Sequence, residues 1–131
     1  MSGASGAHVG QDDLPPAAAR RLLGPGRHVG YSTHTTAQVE AASFEPVTYI
    51  AVGPVFGTQT KATVYEPIGL ELISEAVRVS RGLPVVAIGG ITLETAPAVI
   101  EAGASSVAVI SDLLAIGDPA ARVRAFLDTL V

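Results

Sequence analysis

The chain has 131 residues, enough for one ordinary domain or a piece of a larger one, and 48% hydrophobic against 15% charged residues call for a sizeable core and exclude wholesale disorder. Eight Lys+Arg against twelve Asp+Glu give a formal charge of -4 with no basic cluster, which argues against a nucleic-acid backbone as partner. Zero cysteines exclude disulfides, thiolate nucleophiles and Cys-ligated zinc, and no apolar run approaches the roughly 18–20 residues of a spanning helix, so a soluble, cytoplasmic α/β protein without membrane contact is expected.

The first strand candidate is Ala7–Gln11. Pro15–Pro16 then suits the first turn of a helix, which Gly24–Pro25 stops. His28–Ser32 and Thr48–Gly53 are the next β-branched stretches. Ile68–Arg81 holds Leu70, Ile73 and Val77 at helical spacing, and Gly82 then Pro84 end it. Val85–Gly89 is a fourth strand candidate, followed by a helix over Glu94–Ala102 that ends at Gly103. Ser106–Ser111 is the fifth. Asp118–Pro119 then forms an N-cap and N1 pair before Arg122–Leu130. The order is a β-α unit five times over. The strands are apolar without clean alternation, as expected where both faces of a parallel sheet are covered.

The strand ends Gly10, Ser32 and Gly53 fall 22 and 21 residues apart, and Gly89 and Ser111 are again 22 apart. Two architectures share this rhythm. One is an open, doubly wound five-stranded sheet; the other is the last five-eighths of a (β/α)8 barrel, which needs roughly 200–250 residues when whole.

Gly53 to Gly89 is 36 residues, and the excess falls in Pro54–Pro67, PVFGTQTKATVYEP. Long loops at the carboxyl ends of parallel strands are where both architectures place ligands. This one carries Lys61, the only lysine in the chain, with the hydroxyls of Thr58 and Thr60 and the small Gly57 before it. An ammonium flanked by hydroxyls suits phosphate oxygens; a solvated loop with an incidental lysine is the plainer reading. Gly89–Gly90, and the Ile110–Ser111–Asp112 edge one unit later, could receive an anion or could simply be tight turns. In Gly10–Gln11–Asp12–Asp13 the carboxylates could ligate Mg2+ or could cap the helix that follows. The histidines His8, His28 and His34 lack metal-ligand spacing, and Ser32 reads as a ligand-contacting hydroxyl rather than a nucleophile.

Taken together, HVGQDDLP at 8–15, GYSTHT at 30–35, YIAVGPVFGTQTK at 49–61, PVVAIGGIT at 84–92 and AGASSVAVISDLL at 102–114 resemble the thiamine phosphate synthase family. The resemblance runs from about residue 3 to 131. It implies a partial TIM (β/α)8 barrel: a single domain over 1–131 whose five units correspond to strands 4–8, with the first three βα units absent. It also implies a transferase that joins a pyrimidine carried as its diphosphate to a thiazole phosphate, giving thiamine phosphate and pyrophosphate. By the same resemblance Asp13 is a Mg2+ ligand, and Ser32 and Lys61 contact the pyrimidine diphosphate, with Lys61 also catalytic. Thr58, Gln59, Thr60, Gly90, Ile110 and Ser111 hold the thiazole phosphate.

The family's Gln-x-Arg-x-Lys stretch and Asn-Asp pair belong to the missing units. Five units alone leave unpaired edges at Ala7–Gln11 and Ser106–Ser111 and an open inner face expected to be apolar. The chain therefore reads as a fragment of a longer gene product, or as a half that needs a partner or a homo-oligomer. A related thiazole tautomerase that shares the barrel, and a non-catalytic phosphate-binding half barrel, are the competing readings.

Overall fold

The computed structural model describes residues 3–57, 66–115 and 117–131. Along the chain the elements are β1 (Gly6–Val9), α1 (Pro16–Leu23), β2 (His28–Thr33), α2 (Thr36–Ala42), β3 (Tyr49–Val52) and α3 (Gly69–Val79). They continue with β4 (Val85–Ile88), α4 (Ala96–Glu101), β5 (Ser106–Ala108), α5 (Ser111–Leu114) and α6 (Pro119–Leu130). The local signals explain several boundaries. Pro16 opens α1, and Gly24 at φ 81 closes it. The Asp118 side chain accepts a 3.0 Å hydrogen bond from Ala121 N–H, with Pro119 at the first helical position. The short helix α5 was not legible in the sequence, where Ser111 closes a strand.

The five strands form one parallel sheet in the order β1-β2-β3-β4-β5. That order decides between the two architectures. Parallel crossovers are right-handed, so strands added always in the same direction carry every connecting helix to the same face. A doubly wound sheet reverses its strand order and covers both faces. In keeping with single winding, α2 packs on α3, α3 on α4, and α4 on α6. The fold is an α/β arc consistent with part of a TIM-like barrel.

The helix-covered face holds the core. Val9, Val29, Ile50, Val52, Val85 and Ala87 project from the strands onto Ala19, Val39, Ile73, Ala76, Ala96, Val99 and Phe126 of the helices. Buried Thr33 shares this face and satisfies its hydroxyl by donating to the Ala51 carbonyl at 2.9 Å. Two expectations change on the opposite face. Helices cover one face, so burial alternates along β4 even though its sequence, VVAI, does not. The other face is largely apolar over β3–β5, with Ala51, Val86, Ile88 and Ala108, but polar toward β1 and β2, where the register aligns His8 with Gly30 and Tyr49 and sets Ser32 beside Ala51. Gly30 is small because two rings need the space. A Cβ at Gly30 would collide with both His8 and Tyr49.

The late units are fastened by a charge pair. Arg122 grips Asp112 with two hydrogen bonds, Nε to Oδ2 at 2.9 Å and Nη2 to Oδ1 at 3.0 Å. Asp112 also accepts from Leu93 N–H at 3.1 Å, so one carboxylate joins α5, α6 and the turn after β4. Arg122 reaches exposed Glu94 at 3.2 Å as well. Removing the carboxylate strands a largely buried guanidinium, whereas removing Glu94 deletes a solvated contact. Asp112→Ala is therefore expected to lower the thermal midpoint clearly and Glu94→Ala to barely move it; equal shifts by circular dichroism would contradict the fastening role.

Candidate functional site

All five strands point their carboxyl ends to one edge, and the residues that follow them form a continuous rim. After β1, Gly10 N–H donates to Asp13 Oδ2 at 2.7 Å while Asp13 N–H donates back to the Gly10 carbonyl at 3.3 Å. Asp13 closes this turn. It does not cap α1, whose N-cap is Pro15 with no side-chain bond, so the acidic-cap alternative is set aside. Gln11 Nε2 donates to the Ser32 carbonyl at 2.6 Å, tying the first rim to the second. Asp13 is exposed on that rim.

Ser32 sits near the end of β2, and its hydroxyl lies 2.8 Å from His8 Nε2. The other ring nitrogen, Nδ1, lies 3.0 Å from the Tyr49 hydroxyl. Desolvation lowers the His8 pKa below the ordinary histidine value, outweighing the nearby Asp13 carboxylate, which raises it. One residue past β2, His34 Nδ1–H donates to the Gly53 carbonyl at 2.6 Å, and His34 N–H donates to Gln38 Oε1 at 2.7 Å. The first bond fastens the β2 rim to the β3 rim, and the second ties it to α2.

The root of the long loop is pinned to the end of β4. Val55 N–H donates to the Ile88 carbonyl at 2.9 Å and Phe56 N–H to the Gly89 carbonyl at 3.0 Å. The returning chain is fixed in the same way, with Ile68 N–H on Pro54 and Gly69 N–H on Val55. Gly90, at φ 67, lies so close that a Cβ there would run into Phe56 and the Gly57 carbonyl. Thr58, Gln59, Thr60 and Lys61 follow directly and lie outside the described residues. At the last rim, Ile110 and Ser111 are exposed at the start of α5.

Asp13, Ser32, Gly90, Ile110 and Ser111 thus share one edge, and Gln11 links the first two. His8, Tyr49 and Gln11 were missed as site residues. The residues alone carry no signal for the His8–Tyr49 meeting, which arises from the strand register that aligns both with Gly30. Among the described residues no group of three or more His, Cys, Asp or Glu gathers to hold a metal ion. Mg2+ is commonly held by one or two carboxylates with phosphate oxygens and water, so an exposed carboxylate on the rim is a donor of the right kind.

The thiamine monophosphate synthase family model matches residues 1–113. A thiamine-phosphate synthase of Synechococcus sp. (strain WH7803) is 50% identical over 127 residues, covering 97% of this chain and 35% of that protein. One from Koribacter versatilis (strain Ellin345) is 48% identical over 129 residues, covering 98% of this chain and 60% of its own length. The solved thiamine phosphate pyrophosphorylase from Pyrococcus furiosus superposes with a TM-score of 0.82 at 28% identity, over 97% of this chain and 61% of that one. The chain spans between a third and about three-fifths of these relatives.

The depressed His8 pKa has a measurable consequence. Between the lowered folded value and the ordinary value of about 6.5, the unfolded chain binds more protons than the folded one. The His8 contribution to stability is therefore full above that range and is lost as pH falls through it. Urea unfolding between pH 7.5 and 5 should show this decline, and His8→Gln should flatten it; an unchanged pH slope in the variant would contradict the assignment.

Proposed function

The chain belongs to the thiamine monophosphate synthase family, and from that premise we propose that it forms part of a transferase joining hydroxymethylpyrimidine diphosphate to a thiazole phosphate. In this reading the five units are strands 4–8 of a (β/α)8 barrel, the protein works in the cytoplasm, and the remaining units come from further chain or from a partner. The observation that carries the reading is the shared edge. Gln11 ties the turn that Asp13 closes to the Ser32 backbone on one side, and Gly90 faces the root of the TQTK loop on the other.

The reaction breaks the C–O bond between the pyrimidine methylene and its diphosphate. The electron pair leaves with pyrophosphate, and the thiazole nitrogen lone pair then forms the new C–N bond to the methylene cation. The barrier lies in charge developing on the leaving group, so Lys61 is assigned to those oxygens and Ser32 to the pyrimidine diphosphate. Asp13 would hold Mg2+, which when bound neutralises diphosphate charge. Thr58, Gln59, Thr60, Gly90, Ile110 and Ser111 hold the thiazole phosphate and contribute orientation. No acid or base with a tuned pKa is needed.

In a barrel completed with the first three units, Lys61→Ala is expected to cut turnover by about a hundredfold or more, with a smaller effect on thiazole-phosphate binding. Asp13→Asn is expected to raise the Mg2+ concentration needed for half-maximal pyrophosphate release. Equal rates in the lysine variant would remove Lys61 from the chemistry, and an unchanged metal titration would leave Asp13 as a turn-closing residue alone.

A further inference from the structure

On the face of the sheet away from the helices, three strands contribute one line of hydrogen-bonding side chains. Tyr49 of β3, His8 of β1 and Ser32 of β2 are joined by contacts of 3.0 and 2.8 Å through the two nitrogens of one imidazole. The His8 and Tyr49 rings lie 5.6 Å apart and tilted by 31°, over the gap left by Gly30. A neutral imidazole has one donor and one acceptor, so this line has a direction.

We propose that Tyr49–His8–Ser32 is a polarised relay that fixes the Ser32 hydroxyl as an outward hydrogen-bond donor, so the ligand atom it meets is an acceptor such as a phosphate oxygen or an unprotonated ring nitrogen. The direction follows from the two hydroxyls. A phenol is more acidic than an aliphatic alcohol, which makes it the better donor and the poorer acceptor. Tyr49 therefore donates to Nδ1, the imidazole proton sits on Nε2, and His8 donates to Ser32 Oγ. With an oxygen lone pair committed to His8, the serine hydrogen turns away from the ring. Gln11 meanwhile holds the Ser32 carbonyl, fixing the backbone that carries the hydroxyl. Successive bonds in such a line strengthen one another. His8 and Tyr49 are positioning residues that act through Ser32.

The identity of the acceptor as part of the pyrimidine diphosphate rests on the proposed function; the relay does not. Its test is therefore made on the 131-residue chain without ligand, by NMR titration of the His8 ring. Among the described residues, the titratable groups on the face of His8 are Tyr49 from β3, Asp13 from the turn after its own strand and, one register step back on β2, His28; β2 also offers the non-titrating Ser32. A donor to the imidazole lone pair favours the neutral ring, whereas an acceptor from its N–H is kept when the ring charges. Tyr49→Phe, which keeps the ring, is expected to raise the His8 midpoint by roughly 0.4–1 pH unit, the equivalent of one net hydrogen bond. Ser32→Ala is expected to leave it unchanged or lower it. A midpoint that stays or falls in Tyr49→Phe, or rises in Ser32→Ala, overturns the relay. So does a wild-type ring whose nitrogen-15 shifts put the proton on Nδ1, which needs no variant. A chain that passes these titrations, yet does not bind the pyrimidine diphosphate once the barrel is completed with the first three units, supports the relay and overturns the functional reading instead.

Discussion

Handedness of winding is the constraint on which the rest of this structure depends. Five parallel strands are added in sequence order, and right-handed crossovers then leave no choice about where the helices go. One face of the sheet becomes the core, built from Val and Ile of the strands against Ala and Val of the helices. Parallel pairing of all five strands sends every strand end to one edge. Residues as distant in sequence as Asp13 and Ser111 come to share a rim because of topology, without any direct contact between them.

Local chemistry then shapes that rim. Asp13 and Gln11 spend hydrogen bonds on Gly10 and Ser32, so the first two rims are rigidly related. His34 extends the tie to Gly53, and the backbone of residues 54–57 runs against Ile88–Gly90. Glycines occur where backbone or rings must come closer than a Cβ permits, at Gly30 under two rings and at Gly90 beside the loop root. The described part of this rim carries the Ser32 and Ser111 hydroxyls, groups of the kind that the phosphate ligands proposed for it accept from.

Much of this was legible in the residues themselves. Punctuation by Pro, Gly and Asp located the helix termini, and Asp118 caps α6 as its sequence context implies. Strand ends at Gly10, Ser32, Gly53 and Gly89 were placed to within a residue or two. What pairs with what was not legible. Sequential and reversed strand orders share the same β-α rhythm, and only hydrogen-bonded pairing separates them. Because the order is sequential, VVAI in β4 lies against helices on one side only, a distinction its composition cannot carry. The His8–Tyr49 contact spans 41 residues and emerges only from register. Asp13 was ambiguous because an acidic residue before a proline-initiated helix usually caps it; here the Gly10 N–H claims the carboxylate first. Thr58, Gln59, Thr60 and Lys61 lie outside the described residues, so their assignment rests on resemblance and on where the loop begins.

The account's central claim is that anionic ligands gather at the carboxyl edge of the sheet. Amide NMR of the chain titrated with thiazole phosphate tests it most directly. The account predicts shifts concentrated at Gly90, Ile110 and Ser111, extending toward Ser32. Shifts centred on the opposite edge, at Gly6, His28 and Val85, or on the outer faces of the helices, would contradict it.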